Sequence, residues 1–312
     1  MTIRPLLRST FACAAISLLA LPAHAGLFRA YVSSTGNDAN ACTLTAPCRL
    51  LPAALAAVSN GGEIWMLDSA NYNTATVAID KSVNILAVPG AVGSVLAVNG
   101  PAVSIAADSL AIALRNLVIV PLTGGGGTYG VSITGNSLLT IENSLIANLP
   151  NSGIFVLGIG KIEISSTIIR NNGGYALELQ DGASVDILNT KMLSNHYGGI
   201  VIYTTNAAST TATISDSIVS GGSIGVWAAN ASANGSARIF IARSTVQNTT
   251  NALESSSTGG GNALVAVSSS MVTNNSFAWS QSGNGAVIES SGNNYIRGNV
   301  SSQGALTSVG QQ

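Results

Sequence analysis

The chain has 312 residues, of which only 8% are charged, with 12 Lys and Arg set against 13 Asp and Glu. A near-neutral chain with no basic cluster or stripe lacks the electrostatic footprint of a nucleic-acid or anionic-membrane binder. With 34 Gly, 5% aromatic residues and many short β-branched runs, it reads as an all-β protein rich in turns, kept in solution by Ser, Thr, Asn and Gly rather than by charge.

The first segment, MTIRPLLRSTFACAAISLLALPAHAG, places Arg4 and Arg8 before an apolar run that reaches Leu21, with an A-x-A site before Gly26. This is the pattern of a secretory signal peptide over 1–25. The run is short for a membrane span and no later segment is longer, so the expectation is an exported protein, periplasmic or extracellular, without a membrane span. Loss of the leader leaves two cysteines, Cys42 and Cys48, in NACTLTAPCRLL. An oxidising compartment favours a local disulfide over a redox or metal pair, because neither a CxxC nor a neighbouring His accompanies them. Closing so short a loop contributes about 2 kcal/mol.

From Leu114 onward a motif recurs. LRNLVI, IENSLI, ISSTII, ILNTKM, ISDSIV, IARSTV, VSSSMV and IESSGN begin at Leu114, Ile141, Ile164, Ile187, Ile214, Ile241, Val267 and Ile288, at intervals of 21–27 residues. Repeats of this length signal a solenoid, in which each unit buries its apolar face on the next. Inside a unit the apolar period is two. In KIEISSTII, Ile162, Ile164 and Ile168 can share the inner face, and in GGIVIY, Ile200 and Ile202 oppose Val201 and Tyr203. Seven residues after each anchor come Asn148, Asn171, Ser194, Gly221, Asn248 and Asn274, suited to left-handed bends and to a stacked amide ladder. Gly130, Gly153, Gly199 and Gly225 mark sharp corners into the following strand. The Ile, Val, Ser, Thr and Gly usage fits poorly with leucine-rich repeats, and the uneven spacing excludes the hexapeptide rhythm of a left-handed β-helix. Four polar, Gly-rich stretches, 121–130, 204–212, 228–237 and 255–263, lengthen coils and are expected to cluster at one corner.

On these residues the chain resembles right-handed parallel β-helix proteins of the pectate-lyase-like superfamily, of the exported bacterial type. The lead-in YVSSTGNDANACTLTAPCRLL, followed by GEIWML and VAIDKSVNIL, is similar to the start of such proteins. The resemblance implies an all-β, right-handed parallel β-helix solenoid with a short N-terminal capping helix near Leu50–Val58. Residues 26–60 would then form the opening strand, disulfide loop and capping helix, and 61–312 about ten coils.

Position in the repeat also places candidate chemistry. Glu163 and Asp186 each precede an anchor by one residue and stand one coil apart, with Lys161 on the same face as Glu163. Glu178, in the next strand of that coil, and His196, in SNHYGG, complete a candidate catalytic group. Lyases of the superfamily use Arg or Lys as base and acidic calcium ligands, and its hydrolases use paired carboxylates as acid and base. The Asp-Asp, Gly-His-Gly and Arg-x-Lys constellations of polygalacturonases are absent from this sequence. A surface pair such as Lys161 and Glu163 is commonly no more than a solvated ion pair. Phe155 and Trp227, in the outward row Ser132, Phe155, Glu178, Val201, Trp227 and Glu254, offer ligand-binding rings, with Tyr203 and Trp279 near the same face. The expected function is therefore a non-catalytic exported β-helix, a monomer, that binds a polysaccharide or cell-surface glycan or serves as an envelope component. The alternative is a polysaccharide lyase or glycoside hydrolase acting on an acidic polysaccharide. No cofactor or metal is expected, calcium entering only under the lyase alternative.

Overall fold

The computed structural model describes residues 26–310; the expected signal peptide at 1–25 lies outside them. The described chain winds into a right-handed parallel β-solenoid. Three sheets run along it: a first of 12 strands, from Leu27–Val32 to Thr307–Ser308, a second of 10, from Ala70–Asn71 to Tyr295–Arg297, and a third of 10, from Val77–Ala78 to Ser301–Gln303. Successive strands in each sheet come from successive coils. Nine steps separate the ends of a ten-stranded sheet, giving about nine turns where the sequence suggested about ten.

The anchors form the column the repeat predicts. Leu114 pairs with Ile141, Ile141 with Ile164, Ile164 with Ile187, Ile187 with Ile214, Ile214 with Ile241, and Ile241 with Val267. All seven side chains are buried. The last anchor is corrected: Ser290 takes the position opposite Val267, and Ile288 pairs with Val265 two residues earlier. Ile168 is corrected too. It faces solvent and Ile169 is buried, because Ser166 adopts a positive φ of 49° and interrupts the strict alternation of an extended strand.

Each corner solves the problem of burying polar backbone. Between the first and second sheets, a left-handed residue such as Asn189 or Asp216 is followed by a buried hydroxyl: Ser144, Thr167, Thr190, Ser217, Ser244 and Ser270. Ser217 Oγ donates to the Ser215 carbonyl at 2.7 Å and accepts from the Thr190 N–H at 3.0 Å. The same exchange links Ser217 to Ser244 and Ser244 to Ser270. Between the second and third sheets, Asn148, Asn171, Ser194, Gly221, Asn248 and Asn274 are all left-handed, as expected. The amide ladder lies one residue further on, at Asn172 with Asn195 and at Asn275 with Asn299. The left-handed residue carries its own side chain outward and turns the next one into the core. At the corner into the third sheet, a Cβ on Gly199 would lie 2.5 Å from the Gly225 carbonyl oxygen, and one on Gly225 2.4 Å from that of Ala252. Of the four polar stretches, 204–212, 228–237 and 255–263 span the corner from third to first sheet, whereas 121–130 lies between second and third. They mostly lengthen strands, as in Gly198–Thr204 and Ile224–Asn230.

The opening strand Leu27–Val32 pairs with Val58–Met66. Cys42 and Cys48 form the disulfide, their Cα atoms 4.6 Å apart. One short helix, Leu51–Ala57, starts with Pro52 in its first turn and buries Leu51, Ala54 and Leu55 in the same core as Val58 and Ile64. Asp68 ties this region together. Its carboxylate accepts from the Tyr72 hydroxyl at 2.5 Å, the Ser33 hydroxyl at 2.7 Å and the Ser34 N–H at 2.9 Å. Burial raises the Asp68 pKa, but the bonds from Tyr72, Ser33 and Ser34 outweigh it and hold the group below its ordinary 3.8. Asp68→Ala is expected to cost about 2–3 kcal/mol in urea unfolding at neutral pH. A depressed folded-state pKa stabilises above the unfolded value and the gain is lost as pH falls through the folded one, so the difference between wild type and variant should shrink only below about pH 4.

Candidate functional site

Parallel register sets the outer face of the first sheet. Thr140 pairs with Glu163, Glu163 with Asp186, and Asp186 with Thr213, so their side chains stand in one outward row with backbones about 4.8 Å apart. They line a shallow groove of about 320 Å³ together with Glu142 and Ser165. Lys161 Nζ sits 3.2 Å from Glu163, both groups well exposed. Thr213 donates to Asp186 at 2.6 Å. At the next outward position, Arg115 pairs with Glu142 at 2.6 Å. Each of these basic groups is thus matched to a carboxylate. The groove continues in both directions: Thr140 is shared with a hollow beside Asn84 and Arg115, and Thr213 and Ser215 with one beside Phe240.

The sequence grouping of five catalytic candidates divides. Lys161, Glu163 and Asp186 meet on the first sheet. Glu178 is on the third, in strand Tyr175–Gln180, and His196 is exposed in the turn before strand Gly198–Thr204. The physical reason is simple: residues in one coil but different strands point away from the rod in different directions.

Ser132, Phe155, Glu178, Val201, Trp227 and Glu254 are consecutive register partners on the third sheet, as expected, but Val201 is buried rather than presented to solvent. Tyr203 is exposed two positions beyond Val201. Trp227 Nε1 donates to Ser256 Oγ at 2.8 Å. Trp279 is corrected: it pairs with the buried Leu253 and packs against the core. Three rings were not anticipated: Tyr129, Tyr175 and Tyr197. Tyr129 and Tyr175 immediately precede the corner column of Gly130, Gly153, Ala176 and Gly199, a position the repeat could have revealed. Burial, reinforced by Glu178, Glu254 and Tyr197, pushes the Tyr175 hydroxyl up to about 12. Burial and Glu178 also raise Tyr129.

Calcium fits this donor set poorly. The ion takes six to eight oxygens, whereas Glu163 already faces Lys161, and among the described residues no three His, Cys, Asp or Glu side chains group as metal ligands. Among those residues, too, no helix is long and apolar enough to cross a membrane.

The family model for the right handed beta helix region matches residues 103–265. Among solved structures, pectate lyase Pel9A is similar with a TM-score of 0.62 at 14% identity, over 89% of this chain and 79% of that one. An alginate lyase from Paenibacillus sp. str. FPU-7 gives 0.62 at 12% identity, over 90% and 100%. XylC in complex with xylose gives 0.57 at 8% identity, over 88% and 70%. At these identities the likeness is one of fold. None of the curated proteins matches the sequence.

Proposed function

The chain belongs to the right-handed β-helix family, and we propose that it is an exported, non-catalytic member that binds glycan along its length, in the periplasm or at the cell surface. The observation that carries this reading is the run of three hollows sharing residues end to end on the first sheet. Its lining sets Ser and Thr hydroxyls, Asn84, the Arg115–Glu142 pair and the carboxylates of Glu163 and Asp186 among aliphatic side chains, a mixture that suits the hydroxyls and apolar ring faces of a sugar chain. Strands stacked about 4.8 Å apart present those groups at a regular interval. The solved structures of similar fold include a pectate lyase, an alginate lyase and a xylose complex, which is in keeping with a carbohydrate ligand.

A second reading has its own support. Glu163 and Asp186 are adjacent in one groove, with Lys161 against Glu163, and paired carboxylates are the equipment of glycoside hydrolases. Incubation of the purified protein with neutral and acidic polysaccharides separates the two. Binding without new reducing ends or unsaturated products is the expected result. Product formation that disappears in Glu163→Gln or Asp186→Asn would replace the binding reading with the enzymatic one.

A further inference from the structure

The outer face of the third sheet has a chemistry of its own. Tyr129 and Phe155 stack with ring centroids 4.9 Å apart and planes 22° from parallel. Tyr175 and Tyr197 meet at 5.7 Å and 45°. Tyr129, Tyr175 and Tyr197 line a groove of about 350 Å³ together with Asn151, Ser152 and Glu178. Gly173 and Gly174 border it without side chains to fill it. Glu178 accepts from Ser152 Oγ at 3.0 Å and from Gln180 Nε2 at 3.1 Å, both neutral donors. Three strands along the same row, Glu254 stands beside Trp227 and accepts from Asn251 Nδ2 at 2.8 Å. Burial raises its pKa. No Lys or Arg occurs in any described strand of this sheet. The face is therefore both aromatic and anionic, with its carboxylates unmatched by basic groups of the sheet.

We propose that this face binds a glycan bearing free amino groups, with one ammonium held by Glu178 among the tyrosine rings and the chain running along the rod toward Trp227 and Glu254. Aromatic faces are electronegative and attract cations; a carboxylate held by neutral donors adds to that attraction. The same arrangement repels a uronate. A pyranose ring supplies an apolar face for stacking on Tyr or Phe, and hydroxyls for Asn151, Ser152 and the tyrosine oxygens. A bare metal ion is a worse fit, since a single carboxylate among ring carbons cannot supply six to eight oxygens. The recurrence of a carboxylate beside an aromatic ring three strands away, about 14 Å, favours a repeating ligand over a single small cation. The site lies on a different sheet from the groove of the glycan-binding proposal, so either can fail alone.

Calorimetric titration of the purified protein at about pH 5, low enough for the amines of a 2-amino sugar to carry their proton, tests this. The probes are a chitosan oligomer, its fully N-acetylated counterpart, an oligogalacturonate and an oligolysine. The chitosan oligomer should bind at least about tenfold more tightly than the acetylated one, and the oligogalacturonate should not bind here. Glu178→Gln and Tyr197→Ala should each weaken chitosan binding about tenfold with the circular-dichroism spectrum and unfolding midpoint unchanged. Failure of chitosan to bind, equal affinity for the acetylated oligomer, or indifference to Glu178→Gln overturns the proposal. Equal, Glu178-dependent binding of oligolysine overturns it in favour of a cationic peptide. Retained binding of neutral glycans alongside any of these failures would leave the first-sheet reading standing.

Discussion

Asn195→Leu is expected to destabilise the solenoid by about 3–5 kcal/mol, although leucine is close to asparagine in size and more apolar. Asn195 is buried. Its Oδ1 accepts from the Asn172 N–H at 3.2 Å and from Asn172 Nδ2 at 2.8 Å, and its Nδ2 donates to the Ile169 carbonyl at 3.1 Å. Leucine would leave two donors and one acceptor stranded away from water, each worth about 1–3 kcal/mol, while the gain in apolar burial offsets only part of that. Asn171→Gly is the matched comparison. Asn171 is exposed, with φ of 55°, and glycine takes that conformation freely, so the change should stay within about 0.5 kcal/mol. Urea unfolding of the two variants checks this. Equal losses would mean that the left-handed residue, rather than the buried amide after it, holds the corner.

The contrast between Asn171 and Asn172 also shows how much could be read in advance. The Ile column was legible because burial restricts those positions to a few apolar side chains, and Ile141, Ile164, Ile187 and Ile214 retain them. Glu163 beside Asp186 was legible because equal position in successive coils means lateral pairing. The corners were harder. A left-handed residue resets the inside–outside alternation, which is why Ile169 rather than Ile168 is buried and why the amide ladder sits at Asn172. The hydroxyl ladder through Thr190, Ser217 and Ser244 left little trace, since Ser and Thr abundant on every surface conceal the few that are buried. Ile288 misled because Ser290 occupies the anchor column, and a hydroxyl can stand in where the core is closing. Of the candidate sites, the first-sheet carboxylate pair followed from spacing alone. The tyrosine groove did not: Tyr129, Tyr175 and Tyr197 gather where coils turn, and Ser152 and Gly198 interrupt the column that Tyr129 and Tyr175 share.

Gly198→Ala should be at least as damaging as the loss of the amide, by about 3 kcal/mol or more, for reasons of space and backbone together. Gly198 has φ of 144°, and a Cβ there would fall 1.6 Å from the Ile224 carbonyl oxygen in the next coil. Neither atom belongs to a flexible side chain, so the two coils would have to separate. The Gly198 to Ile224 contact is one rung of the ladder joining strands Gly198–Thr204 and Ile224–Asn230. In a solenoid each coil depends chiefly on its neighbours. A wedge at one interface should therefore weaken it locally, broaden the unfolding transition and expose the nearby turn to limited proteolysis. Gly61→Ala separates this clash from the general cost of a positive φ. Gly61 has φ of 80°, but a Cβ there meets nothing within 4 Å, so it should cost only about 1–2 kcal/mol and leave the transition sharp. A loss at Gly198 no larger than that at Gly61 would mean that neighbouring coils can part without penalty, contrary to the close stacking on which both proposed glycan faces depend.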